Sequence, residues 1–308
     1  MDPTDPLGAC AKVLGQSPRR LPRSKYGSQS GFGKPNSMMN HESDIVVACV
    51  DSNPRYLPSV DWWFRYWDLV GPHFRRPIEP VLLTINVKPS LLSLQANRRV
   101  VPIEIPNWID TAFAAQTARL YWPGTQIHFA GRILTTDIDC LPLSTKVFDS
   151  TISCGNETFI VYRNVLSDVR QVPICYNSAT SNSWRQVMGD RSLEDAVANL
   201  WSMTAEYHGI RGGVGWSIDQ ETLFRSLHDW MTSGGQVLWL QDSETGHRRL
   251  DRSHSKKLRN LARPLLGVDF FTDFHTPMPA SDHTKELASV YSWLSRRWRN
   301  QKFVHRHA

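Results

Sequence analysis

The stretch Asp44-Ile-Val-Val-Ala-Cys-Val50, the polar turn Asp51-Ser-Asn-Pro-Arg55 behind it, and the later run Pro80-Val-Leu-Leu-Thr-Ile-Asn-Val87 together decide the fold. Both apolar runs are short and continuous and rich in β-branched residues, as expected of strands buried on both faces. Between them, after Pro58 and a Ser59 cap, Val60, Trp63, Phe64 and Trp67 recur at i, i+3, i+4 and i+7. That spacing lays one apolar stripe along a helix. Strand, helix, strand is a βαβ opening. The pattern then repeats. Residues 111–122 have helix-forming composition and stop at Pro123-Gly124, and residues 127–136 read as a strand running directly into Asp137-Ile138-Asp139. Further strands are expected at 158–162, 172–176 and 236–241, with helices at 193–207 and 220–231. This alternation predicts an α/β sandwich with a mainly parallel central sheet flanked by helices.

The flanks read differently. Residues 1–42 are rich in Ser, Gly, Pro, Lys and Arg without periodicity, the composition of a disordered basic arm. At the other end, residues 281–308 are expected to form a basic amphipathic helix packed on or extending from the domain. It begins near Asp282, after the breakers Pro277 and Pro279, with Leu287, Val290, Tyr291, Leu294 and Trp298 on one stripe. The 308-residue chain has a formal charge of +6, of which residues 1–42 carry +3 and residues 293–308 carry +5. The intervening body is therefore slightly acidic, near −2. Excess charge confined to the tails suits a peripheral membrane surface or an acidic partner, and makes nucleic acid the weaker candidate. A cluster of basic residues at 248–263 reads first as a solvated face.

No apolar run approaches the roughly 20 residues that cross a bilayer. The first forty residues lack the apolar core of a secretory signal, so a cytoplasmic location is expected. Five cysteines (Cys10, Cys49, Cys140, Cys154, Cys175) without a CxxC pair argue against a disulfide framework and against structural zinc. The glycosylation triplet starting at Asn156 has no meaning without secretion.

Ligands of open α/β sheets bind beyond the carboxyl ends of the strands, which draws attention to Asp51-Ser-Asn-Pro-Arg-Tyr56 and Thr135-Thr-Asp-Ile-Asp-Cys140. The sequence holds no GxGxxG or GxxxxGK[ST] loop, so phosphates need another anchor. Asp137 and Asp139 supply one. Carboxylates at i and i+2 of an extended segment share a face and can meet one hard divalent ion, Mn²⁺ or Mg²⁺, that bridges to a diphosphate. Arg119, on the preceding helix, reaches toward a sugar or phosphate or makes a surface ion pair.

Leu134-Thr-Thr-Asp-Ile-Asp-Cys-Leu-Pro-Leu143 resembles the Asp-x-Asp motif of nucleotide-sugar glycosyltransferases of the GT-A fold, a Rossmann-like sandwich. The resemblance spans residues 43–280, read as one catalytic domain. Val47-Ala-Cys-Val-Asp-Ser-Asn53 with Tyr56 resembles the first strand and donor-base loop, implying donor contacts for Asp51, Asn53 and Tyr56. Cys175-Tyr-Asn-Ser-Ala179 resembles the segment that closes on the sugar, implying a role for Asn177. Trp216-Ser-Ile-Asp-Gln-Glu221 resembles the acidic motif beneath the acceptor. There Asp219 is the implied catalytic carboxylate, or alternatively a helix N-cap, and Trp216 and Gln220 stand on the acceptor side. Asp273-Phe-His275 resembles the late His that completes the metal site beside Asp139. The resemblance implies transfer of a sugar from a nucleoside diphosphate sugar to a glycan, protein or small-molecule acceptor. Two other readings remain open: Mg²⁺-dependent nucleotidyl transfer with nucleic acid, and a non-catalytic scaffold of the same fold.

Overall fold

The computed structural model describes residues 43–92, 98–149, 151, 154–210, 212–252 and 271–304. The arm expected at 1–42, most of the basic cluster at 248–263 and the last four residues lie outside the described residues. The opening unit forms as its periodicity demands: β1 (Asp44–Val50), α1 (Ser59–Val70) and β2 (Ile78–Ile85), with β1 and β2 parallel and paired from Asp44↔Ile78 to Val50↔Thr84. Ser59 opens the helix rather than capping it, because the N-cap position falls on Pro58. β3 (Arg99–Ile103), which the pattern did not suggest, extends the parallel ladder.

α2 (Thr111–Tyr121) starts where Asp110 accepts hydrogen bonds from the amides of Ala112 and Phe113, which satisfies two otherwise orphaned donors. It gives way to a tighter turn at Trp122–Thr125. The strand expected at 127–136 is shorter. β4 covers only Arg132–Thr135, since Phe129 closes a turn onto Gln126 and Ile127 is exposed. After the small β5 (Cys140–Pro142), α3 (Lys146–Asp149) and β6 (Thr158–Val161), a second difference appears. Residues 172–176 form no strand, and β7 is instead Asn177–Thr180. Val172 donates its amide to the Gln220 carbonyl, and the Ile174 carbonyl accepts from the Thr135 hydroxyl, so this apolar run packs without joining a ladder.

The chain continues through α4 (Ser181–Met188), α5 (Leu193–Met203), α6 (Ile218–Thr232), β8 (Gln236–Trp239), α7 (Asp242–Thr245), β9 (Arg249–Leu250), β10 (Asp273–His275) and α8 (Thr284–Val304). The seven-stranded sheet has the order β3-β2-β1-β4-β7-β6-β8, and only β7 runs antiparallel to its neighbours. It is a mainly parallel sheet between helical layers. β1 supplies both cores: Val46, Ala48 and Val50 face the layer of α1 and α8, while Ile45, Val47 and Cys49 face that of α2, α4, α5 and α6. The expected stripe of α8 is turned inward, with Leu287, Val290, Leu294 and Trp298 buried and the Tyr66 hydroxyl donating to the Leu287 carbonyl at 3.0 Å. Among the described residues no helix is long and apolar enough to cross a membrane.

Candidate active site

The strand order reverses between β1 and β4: β2 and β3 lie to one side of β1, and β4 lies on the other. Such a switch point opens a crevice at the strands' carboxyl ends. Asp51 follows β1 there, and Asp137 and Asp139 follow β4. Asp51 is held by the Thr111 hydroxyl at 2.9 Å and by the Asn53 amide at 3.2 Å, while the Asn53 side chain accepts from the Arg55 amide. Tyr56 is half-buried. Burial raises its phenol, and the carboxylate of Asp139 raises it further.

His275 is brought to the motif by a second, three-stranded sheet of order β5-β10-β9. β10 pairs antiparallel with β5, so His275 lies opposite Cys140, the residue after Asp139. The Thr276 amide donates to the Asp139 carbonyl at 2.8 Å, and His275 Nε2 lies 3.2 Å from Asp139 Oδ2. Burial opposes ionisation of Asp139, but His275 and then Arg252 outweigh it and hold the carboxyl below its ordinary range. Arg252 Nη2 meets Asp139 Oδ2 at 3.1 Å and also contacts His275 Nε2, so a cationic group already faces both donor atoms. Asp139, Cys140 and His275 each present a ligand atom within 4.8 Å of the others. One carboxylate oxygen and one imidazole nitrogen around a cationic stand-in fit a hard or borderline divalent ion.

Asp137 belongs to a different cluster. Arg119, buried on α2, contacts Asp137 Oδ1 through Nη1 and reaches Asp219 Oδ2 through Nη2 at 3.0 Å. It is thus a buried bridge between two carboxylates, not a surface ion pair. Asp219 sits in the first turn of α6, past the N-cap position at Ser217, and accepts from the Gln220 amide. Burial pushes its pKa up to about 6, against the pull of Arg119 and with the repulsion of Asp137. Trp216 is half-buried, its carbonyl within 3.4 Å of Gln116 Nε2, and the Gln220 carbonyl accepts from Val172.

The structure therefore groups Arg119 with Asp137 and Asp219, and His275 and Arg252 with Asp139, at the end of β4, while Asp51 and Tyr56 belong to the segment after β1. Asn177 stands apart from their contacts. It is fully buried at the start of β7, and its amide donates to the Pro173 and Ile174 carbonyls. Trp184 is also a core residue, with its indole N–H on the Ile133 carbonyl. Tyr207 was missed by sequence reasoning. Its hydroxyl donates to Gln116 at 2.9 Å, and after burial the carboxylates of Asp110, Asp219 and Asp51 raise its phenol. The sequence placed it at the end of the helix expected over 193–207, but α5 stops at Met203, where Thr204 is its C-cap, and Tyr207 lies in the loop beyond.

Behind the motif runs a chain of buried and half-buried charges that no local pattern announced. Arg163 holds Asp242 through two hydrogen bonds at 2.9 and 2.8 Å; His247 bonds Asp273 at 3.1 Å, and Arg249 bonds Asp273 at 2.6 Å. Burial works against ionised Asp242, yet His247 and Arg163 outweigh it and keep it well below the usual carboxylate range. A depressed carboxylate contributes stability above its unfolded pKa of about 4 and loses it as pH falls. Arg163→Met is therefore expected to cost about 1–2 kcal/mol at pH 7, a deficit that shrinks below about pH 4. Urea denaturation of both proteins from pH 7 to 3 checks it; a deficit constant with pH contradicts the assignment.

No protein-family profile matches the chain, and no curated protein matches it. Similar solved structures are glycosyltransferases. The galactosyltransferase LgtC, crystallised in complex with donor and acceptor sugar analogues, is 13% identical, with a TM-score of 0.46 over 83% of this chain and 99% of LgtC. The glycosyltransferase GlyE of Streptococcus pneumoniae TIGR4 is 13% identical, with a TM-score of 0.46 over 84% of this chain and 64% of GlyE.

Proposed function

We propose that this protein is a divalent-metal-dependent glycosyltransferase that moves a sugar from a nucleoside diphosphate sugar to a hydroxyl-bearing acceptor. The observation that carries the reading is the meeting of Asp139 Oδ2 and His275 Nε2 at 3.2 Å, across 136 residues of sequence, at the switch point of a mainly parallel sheet. Asp139 and His275 are the residues that would hold the ion, while Asp137, two positions earlier, is held by Arg119. Mn²⁺ suits a mixed oxygen and nitrogen set better than Mg²⁺, which prefers oxygen alone. When bound, the ion neutralises charge developing on the diphosphate leaving group.

The remaining steps fall to the chain itself. Tyr56 offers an aromatic face for the nucleoside base, while Asp51 and Asn53, fixed at the end of β1, offer acceptors for the ribose hydroxyls. Arg119 orients Asp137 and Asp219 and neutralises one of their two charges. Asp219 is ionised above about pH 6, which suits it to accept a proton from an acceptor hydroxyl or to stabilise positive charge on the sugar. Trp216 and Gln220 frame the acceptor side.

The direct test is ligand-dependent melting. Uridine or guanosine diphosphate at about 100 times its Kd is expected to add about 2.7 kcal/mol, roughly 5–10 °C in Tm, only when Mn²⁺ or Mg²⁺ is present. Assay of sugar-nucleotide consumption in the same samples then separates a transferase from a binding protein. Absence of a shift with either nucleotide and either ion removes the reading.

A further inference from the structure

Two buried thiols take no part in the proposed reaction, yet they lie directly beneath it. Cys140 is fully buried at the start of β5, and Cys175 is buried in the segment before β7. Asp137 Oδ2 lies 3.9 Å from Cys140 Sγ, and one carboxylate oxygen of Asp137 with both sulfurs falls within 4.8 Å of one another. From the far side Arg249 Nη2 donates to Cys140 Sγ at 3.5 Å and to Cys175 Sγ at 3.2 Å, and Asp273 balances its charge. The sulfurs thus share one cationic neighbour and leave their other side toward Asp137, whose side chain is 32% exposed and provides the route from solvent.

Two sulfurs and one carboxylate oxygen are a different donor set from the oxygen and nitrogen of Asp139 and His275. A tetrahedral ion with Zn–S near 2.3 Å and Zn–O near 2.0 Å spaces its donors about 3.5–3.8 Å apart, close to the 3.9 Å between Asp137 and Cys140. We infer that Asp137, Cys140 and Cys175 form a second metal site, selective for a thiophilic divalent ion of the zinc class, with a water completing the tetrahedron. Binding releases the protons of both thiols to solvent, and the two thiolates and the carboxylate offset the ion's charge.

The site has a consequence for the candidate active site that rests on the glycosyltransferase reading. Asp137 serves both places, and Cys140 is bonded in sequence to Asp139. An ion on the thiols draws Asp137 from Arg119 and places further positive charge near Asp139, so a zinc-class ion is expected to raise the Mn²⁺ concentration needed for transfer.

Cadmium is the probe, because its thiolate complexes absorb in the ultraviolet by charge transfer. The full chain, kept reduced, is titrated with Cd²⁺. One saturable band per chain is expected, unchanged in Cys10→Ser, Cys49→Ser and Cys154→Ser and lost in Cys140→Ser and in Cys175→Ser. Asp137→Asn retains both thiols at a half-exposed position and is expected to keep the band while weakening Cd²⁺ by about tenfold or more. No band in the unsubstituted protein, or a band of undiminished amplitude and affinity in Cys175→Ser, overturns the assignment. The two readings fail separately: Mn²⁺ gives no such band, and a protein that ignores nucleoside diphosphates still shows the cadmium signal.

Discussion

Asp139→Asn is expected to abolish the metal-dependent stabilisation by nucleoside diphosphate and to lower kcat/KM for transfer by about 10²–10³-fold or more. The substitution keeps the shape of the side chain and the backbone bond from the Thr276 amide to residue 139, so β5 and β10 remain joined. It removes the single negative oxygen on which Arg252 and His275 converge, at 3.1 and 3.2 Å. A neutral amide is a poor ligand for a hard cation, and its N–H₂ end repels the guanidinium. His275→Ala removes only the nitrogen donor, and is expected to weaken Mn²⁺ by about 10–100-fold while leaving residual activity at high Mn²⁺. Titration of Mn²⁺ against initial rate distinguishes the two: rescue for His275→Ala and none for Asp139→Asn. Activity of Asp139→Asn within tenfold of the unsubstituted protein would contradict the assignment of this carboxylate.

The order of these residues was readable before their positions were. β1, α1, β2 and α2 announce themselves because strands buried on both faces must be continuously apolar and a helix on the sheet must be striped, and Val46 and Val47 indeed enter opposite cores. β7 was hidden for the complementary reason. Asn-Ser-Ala-Thr carries no apolar signal, yet it lies in mid-sheet, where Ser178 and Ala179 face the packed strand β4. The apolar stretch before it misled because its residues are buried by loop packing, which periodicity cannot tell from a ladder. At the site, Asp137 and Asp139 were legible from their place after a strand. The side chains that hold each of them were not. Arg119 claims Asp137, and His275 claims Asp139, through contacts between residues 18 and 136 positions apart. The charge chain from Arg163 to Arg249 depends wholly on such long-range pairing, and so do the thiols it lies against.

Arg119→Met is expected to destabilise the protein by about 3–5 kcal/mol at pH 8, because it leaves the buried Asp219 carboxylate without its cation. Asp219 is 2% exposed, and Arg119 Nη2 at 3.0 Å is its only charged hydrogen-bond partner among the described residues. Even with Arg119 present, burial holds the Asp219 pKa near 6, well above the unfolded value of about 4. The folded state therefore binds the proton more tightly than the unfolded chain does, and the stability from protonation is present below about pH 4 and lost as pH rises through 6. Removing Arg119 raises that folded pKa further. The deficit of Arg119→Met relative to the unsubstituted protein is thus expected to be greatest at pH 8 and to shrink by pH 5, where Asp219 takes up a proton. Adding Asp219→Asn to Arg119→Met removes the charge outright and is expected to recover much of the loss at pH 8 and to flatten the pH dependence. Urea denaturation of the three proteins at pH 5 and 8 measures all of this. An Arg119→Met deficit equal at the two pH values, or no recovery in the double variant, would mean that Arg119 holds the fold by packing its aliphatic stem and not by balancing Asp137 and Asp219.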